Sequence, residues 1–198
     1  MNLRKMAGAF AATALIATAL QTAPALSASD PMVGGAAMYA SKNIIENAMN
    51  SKDHTTLVAA VKAAGLVDTL EGKGPFTVFA PTNEAFAALP AGTVDNLLKP
   101  ENKAELVKIL ECHVVAADAT SAVVMKMIKD DGGKHTIKTV SGGTLVAMMK
   151  GDKIVLHDES EGTATVTIAD VKQSNGVIHV IDHVLHVIHV IDHVLLPK

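Results

Sequence analysis

The sequence has no tryptophan, one tyrosine, four phenylalanines and a single cysteine in 198 residues. One cysteine cannot close an internal disulfide, so the fold must rest on its own packed core. A net charge of −3 leaves no basic excess, which excludes a general nucleic-acid binder with a positive face. Fourteen glycines and seven prolines are near average usage, which excludes collagen-like and low-complexity architectures. With 49% hydrophobic and 19% charged residues the chain is no disordered polar tail. Catalytic signatures are missing as well. There is no Gly-x-Ser-x-Gly elbow, no Cys-x-x-Cys pair and no His-Glu-x-x-His. Ser141-Gly142-Gly143 lies between strand patterns rather than opening a helix, so it is no phosphate loop. What stands out is histidine: nine in all, five of them between His179 and His193.

Residues 1–28 read as an export signal. Arg4 and Lys5 form a positive start, an uncharged Ala/Leu/Ile-rich run follows to Leu20, and small residues offer cleavage after Ala25 or Ala28. No later run approaches ~18 uninterrupted apolar residues, so no transmembrane segment is expected after the signal is removed. Loss of Arg4 and Lys5 leaves fifteen basic against twenty acidic residues. The basic start and the lack of any Asn-x-Ser/Thr acceptor fit a bacterial protein, periplasmic or secreted. Residues 29–41 read as a linker and residues 42–198 as one domain.

The first half of that domain has helical spacing. Ile44, Ile45 and Ala48 share a face, and Asp53 is expected to cap a helix over residues 55–64 that stops at Gly65. A further turn follows over Leu66, Val67 and Leu70. Residues 76–80 alternate as a short strand, Pro81 ends it, and Thr82 suits the N-cap of a helix over 83–89. Short and longer helices are expected over 93–98 and 103–111, and Val123, Val124, Met127 and Ile128 also fit a helix. The second half turns to strands: 145–150 and 153–157 flank Gly151-Asp152, and 163–172 leads through an Asn175-Gly176 turn into 177–185. Helices followed by antiparallel hairpins imply an α+β fold. Asp158, Glu159 and Glu161 read as a solvated loop, because the ligand spacing of a calcium loop is missing.

Thr77-Val-Phe-Ala-Pro-Thr-Asn-Glu-Ala-Phe-Ala-Ala-Leu89, together with the segment from Asn175 to the closing Ile-Asp-His-Val-Leu-Leu-Pro, resembles the two conserved boxes of the fasciclin-domain family. The likeness runs from about Asn43 to the C-terminus and includes His113 in a central motif. It implies a wedge-shaped β-sandwich with helices packed at one end, and a role in adhesion to protein, matrix or carbohydrate at a cell surface. With no catalytic motif in the sequence, the protein is expected to work by binding, not as an enzyme, and without a cofactor. Its motif residues here are Thr77, Phe79, Pro81, Thr82, Asn83, Phe86, His113, Asn175, Gly176 and Asp182. Family members usually carry Tyr before the central His, where this chain has Cys112. In some animal members that Tyr-His region is tied to integrin binding; Cys112 weakens the transfer, and no Arg-Gly-Asp tripeptide occurs. Physics gives the boxes mainly structural work. Phe76 or Phe79 can enter the core, and Asn83 is expected to bond to neighbouring backbone. His113, between a helix end and Val114-Val115, reads as a buried, hydrogen-bonded histidine, and Cys112 as a small buried hydrophobe.

The tail carries an exact repeat: residues 187–195 reproduce Val-Ile-His-Val-Ile-Asp-His-Val-Leu of residues 177–185. The ten-residue period keeps His179, His183, His189 and His193 on one face of a strand, with His186 opposite. A single strand over both copies would extend ~66 Å, far beyond the sheet of so small a domain. One copy is therefore surplus, and the Asn-Gly turn favours the first as the native strand. The surplus copy is a candidate for self-association by strand pairing. A second functional reading, a periplasmic metal-binding protein, takes His183, His186, His189 and His193 as ligands. On a straight strand His179 and His183 stand about 13 Å apart, so one ion would need a bend, a helix or a partner strand.

Overall fold

The computed structural model describes residues 30–160 and 162–185. The expected signal at 1–28, Glu161, the surplus repeat, His186, His189 and His193 lie outside the described residues. In chain order the elements begin with a short hairpin, β1 (Met32–Val33) and β2 (Ala36–Ala37), and three helices, α1 (Ile44–Ala48), α2 (Thr55–Ala64) and α3 (Val67–Glu71). Strand β3 (Phe76–Pro81) is followed by α4 (Asn83–Ala87), α5 (Thr93–Leu97), α6 (Lys103–Cys112), β4 (Val114–Val115) and α7 (Ser121–Asp130). Five strands complete the domain: β5 (Lys134–Lys138), β6 (Thr144–Lys150), β7 (Lys153–His157), β8 (Thr163–Gln173) and β9 (Gly176–Ile181).

The fold is α+β, with seven strands in the order β4-β3-β9-β8-β7-β6-β5. Local chemistry explains most boundaries. Asn43 accepts from Glu46 N–H while the Glu46 carboxylate accepts from Asn43 N–H, a reciprocal cap that starts α1. Gly65, left-handed at φ 74°, closes α2. Thr82 and Thr120 cap α4 and α7 through their hydroxyls. The β6–β7 hairpin turns at Gly151-Asp152, between the paired Lys150 and Lys153.

Two core clusters position everything else. Alternate residues of the central strands feed them: Val78, Ala80, Ile178 and Val180 join a cluster with α1, α2 and α6, while Phe79 and Ile181 face a second one with α7 and β5–β8. Strands β3 and β9 are thus covered on both faces, which is why they read as almost continuous apolar runs. The second cluster takes residues from both ends of the strand order, including Val115 and Ile137. Val140 N–H, just beyond β5, donates to the Val114 carbonyl at 2.8 Å, so the two edges of the sheet come together.

Four local expectations are corrected. Residues 29–41 are not a bare linker: β1–β2 forms there, and Val33 and Met38 are buried in the first cluster. The last hairpin turns on Ser174-Asn175, because Gly176 already pairs with Gln173. Strand β9 stops at Ile181, so Asp182 and His183 lie in a bend rather than on a strand to residue 185. The alternation of β8 is broken by register shifts between Val166 and Val171, where Asp170 sits at φ 58°. The central pairing, β3 with β9, is parallel.

Candidate functional site

The two boxes, about a hundred residues apart in sequence, lie side by side. Strand β3 pairs in parallel with β9 so that Phe76 meets Gly176, Phe79 meets His179 and Pro81 meets Ile181. The Phe79 and His179 rings stack with centroids 5.7 Å apart. Thr77, fully buried, donates its hydroxyl to the Ala117 carbonyl at 2.6 Å and accepts from Ala119 N–H at 2.8 Å, which fixes the chain entering α7. Thr82 accepts from Ala85 N–H, and its own N–H donates to the Ile181 carbonyl. Phe86 is buried in the first cluster.

Asn83 does not bond to its own neighbourhood. Its Oδ1 accepts from Thr56 N–H at 3.0 Å and from the Thr55 hydroxyl at 3.1 Å, and its Nδ2 donates to the Lys52 carbonyl at 2.8 Å. It therefore satisfies an orphan donor in the first turn of α2 from a distant segment. Asp53, expected to do this, lies in a 3-10 turn instead, and α2 has no side-chain cap of its own. Asn175 joins three elements: Oδ1 accepts from Ile44 N–H at 3.1 Å, and Nδ2 donates to the carbonyls of Leu70 at 2.8 Å and Gly72 at 3.0 Å. Gly176 follows, and a Cβ there would overlap the Phe76 carbonyl oxygen, so only glycine lets β3 and β9 start together. Asp182 Oδ1 accepts from Thr165 N–H at 2.7 Å and lies 2.9 Å from His183 Nδ1. Partial burial opposes ionisation of Asp182, but His183 and Thr165 outweigh it and hold the carboxyl below its usual range.

Among the described residues, three histidines are buried. His113 Nδ1 lies 2.8 Å from the Ile109 carbonyl, and its Nε2 accepts from Leu185 N–H at 2.9 Å, which ties the chain beyond β9 to the end of α6. His179 Nε2 lies 2.8 Å from the Ala119 carbonyl, its Nδ1 accepts from Asp170 N–H at 3.3 Å, and burial pushes its pKa down. His54, which no sequence pattern marked, is the third. Its Nδ1 lies 2.9 Å from Ser51 Oγ, and burial lowers its pKa, with the Ala80 carbonyl, Asp53 and Glu84 pulling the other way. The Ala80 carbonyl is near enough to favour a charged ring, yet Nε2 makes no hydrogen bond of acceptable geometry. Cys112 is buried, and desolvation together with Asp158 and Glu159 pushes its thiol up to about 11, which leaves it protonated and unreactive at neutral pH. Asp158 is not solvated as expected: it is buried and accepts from Ser160 N–H at 2.8 Å and from Gly162 N–H at 2.7 Å, organising its own loop.

The motif side chains therefore meet one another or backbone, and the arrangement serves to join strands and helices. Among the described residues, no three His, Cys, Asp or Glu side chains come together as they would to hold a metal ion. Of the four candidate ligands in the tail, His183 is exposed in the bend beside Asp182. No described helix is long and apolar enough to cross a membrane. Two hollows remain. A polar groove of about 760 Å³ opens at the starts of β3 and β9, bordered by Lys73, Asp118, Lys172 and Ser174. An apolar cavity of about 40 Å³ lies between α2 and the sheet.

Comparison with known proteins agrees with this geometry. The chain is 49% identical over 154 residues to protein sll1483 of Synechocystis sp., covering 78% of each chain. It is 33% identical to the immunogenic protein MPB70 of Mycobacterium bovis, covering 90% of this chain and 94% of that one. Among solved structures it resembles the FAS1 domain pair of the insect cell adhesion molecule Fasciclin I, with a TM-score of 0.51 and 25% identity over 66% of this chain and 43% of that one. The chain thus spans less than half of that pair. The family model for the fasciclin domain matches residues 52–186, and the chain belongs to the fasciclin-domain family.

Proposed function

We propose that the protein is exported and acts as a non-enzymatic binding module in adhesion, meeting a protein, matrix or carbohydrate partner at a cell surface. The observation that carries this reading is the shared fold with the FAS1 pair of an insect cell adhesion molecule. The leader-like residues 1–28 support export. The spending of Thr77, Asn83, His113 and Asn175 on internal bonds supports a rigid scaffold whose outer surface does the binding. Two measurements test it. Expressed with its leader in a bacterium, the chain should be recovered outside the cytoplasm shortened by about the length of that leader; recovery of the unprocessed chain in the cytosol would sink export. Beads coated with the folded protein should bind intact cells saturably and be displaced by free protein, and binding that free protein cannot displace rejects the adhesion reading.

A further inference from the structure

The apolar cavity is lined along one wall by His54, Leu57, Val58, Val61 and Lys62. These positions repeat on one face of α2 and its N-cap, and at ~1.5 Å per residue they run about 12 Å along the helix axis. The opposite wall is Val78 and Ala80 of β3 with Ile178 of β9. The hollow thus extends along α2, and residues of α1, α3 and α6 line it as well. Lys62, exposed, marks one end, and His54, 3% exposed, marks the other.

His54 is the anomaly in this apolar cavity. A buried polar nitrogen without a partner is costly, and His54 Nε2 has none, although it borders the cavity. Ser51 Oγ, which accepts from Asp53 N–H at 3.3 Å, lies 2.9 Å from Nδ1 of His54 and can partner that nitrogen in either tautomer. Nε2 is left for an oxygen, as donor to a carboxylate or as acceptor from a hydroxyl.

The cavity is closed by chain that precedes the family-matched residues 52–186. Residues 30–42 form a strap in which Val33 and Met38 line the same cavity with side chains 4% and 2% exposed. Few bonds hold it: Lys52 N–H to the Gly34 carbonyl at 3.2 Å, Ser174 N–H to the Lys42 carbonyl at 2.8 Å, and the Asn47 amide to both backbone groups of Tyr39. About 40 Å³ has room for a few water-sized groups and not for a ligand of any length. The strap's apolar side chains occupy the space that a ligand would need.

We propose that this cavity is the closed form of a binding site for a chain-like apolar molecule with one oxygen-bearing end, a fatty acid or long-chain alcohol, whose oxygen hydrogen-bonds with His54 Nε2 while its chain lies along α2 in place of Val33 and Met38. The site is independent of the adhesion reading and stands or falls without it.

The test is fluorescence titration of the full chain with cis-parinaric acid, which brightens in apolar surroundings. Saturable binding at one equivalent, with a Kd below about 10 μM, is expected. Met38→Ala, which removes part of the strap's plug, should bind about tenfold tighter, and Val58→Phe, which fills the cavity, about tenfold weaker or not at all. His54→Leu should weaken binding about tenfold through loss of one hydrogen bond. Melting curves identify any variant that fails to fold, and Met38→Ala and Val58→Phe decide the matter where His54→Leu does not. Absence of saturable binding to both wild type and Met38→Ala overturns the proposal, as does binding that Val58→Phe leaves unchanged.

Discussion

Replacing Asn175 tests most directly how the second box holds the fold. Its side chain fills three backbone vacancies at once: the N–H of Ile44 at the start of α1, and the carbonyls of Leu70 and Gly72 at the end of α3. Each such bond contributes about 1 kcal/mol net, so Asn175→Ala removes about 3 kcal/mol if nothing replaces them. Asn175 is only half-buried, and water can restore part of this, which brings the expected loss to about 2–3 kcal/mol. For a domain of this size that lowers Tm by roughly 4–12 °C. Asn175→Asp separates hydrogen bonding from shape. It keeps the size and the acceptor for Ile44, but sets a carboxylate oxygen 2.8 and 3.0 Å from two carbonyl oxygens, where Nδ2 now donates. Repulsion and desolvation should make it worse than alanine despite the closer shape. Urea and thermal melts followed by circular dichroism give both values. If Asn175→Asp lies within about 0.5 kcal/mol of wild type, the amide is not donating as described and the reasoning fails.

Further outcomes follow from other parts of the same seam. Gly176→Ala forces a Cβ onto the Phe76 carbonyl and should cost more than about 3 kcal/mol or prevent folding; a loss under about 1 kcal/mol in urea melts contradicts the close approach. His54 and His179 are buried with lowered pKa values, so the unfolded chain takes up protons first as pH falls. Their contribution is complete above the unfolded value near ~6.5 and declines below it, by up to about 1.4 kcal/mol per pH unit for each, until the folded pKa is passed. Melts at successive pH values should show His54→Leu with a shallower decline than wild type, and equal slopes would refute the assignment. Cys112, with its thiol pushed up to about 11, should resist iodoacetamide in the native state at mild pH and react once urea unfolds the chain; rapid native alkylation would show it accessible. Deleting residues 186–195 removes one repeat and restores Leu185 directly before Leu196. Urea melts of that deletion should stay within about 0.5 kcal/mol of wild type, and a larger loss would show the second copy supporting the fold.

Periodicity made the helices legible because each buries one stripe: Leu57 and Val61 in α2, Leu106, Ile109 and Leu110 in α6, Val124 and Ile128 in α7. Caps were legible where donor and acceptor are three residues apart, as with Thr82 and Ala85. They were not where the partner is remote. Asp53 stood in the usual place to start α2, yet Asn83 does it from beyond β3. Burial of polar groups hid the rest. Asp158 looked solvated because its neighbours are acidic, whereas the N–H groups it accepts from belong to its own loop. His54 gave no signal at all, since nothing local distinguishes a histidine in a core from one on a surface.

The repeated nonamer shows why pattern alone does not assign a strand. Its two copies are identical, so every contact made by the side chains of residues 177–181 in the sheet is chemically available to residues 187–191 as well. What separates them lies just before each copy. The first follows Asn175-Gly176, where the amide bonds α1 and α3 and the missing Cβ admits the Phe76 carbonyl. The second follows Leu185-His186, which can supply neither the three bonds nor the clearance. Losing those three bonds alone costs about 2–3 kcal/mol, equivalent to a preference of roughly thirty- to more than a hundredfold for the first copy. Register at the centre of this sheet is therefore set by Asn175 and Gly176, which precede the repeated residues, and the apolar residues shared by both copies contribute stability without choosing between them.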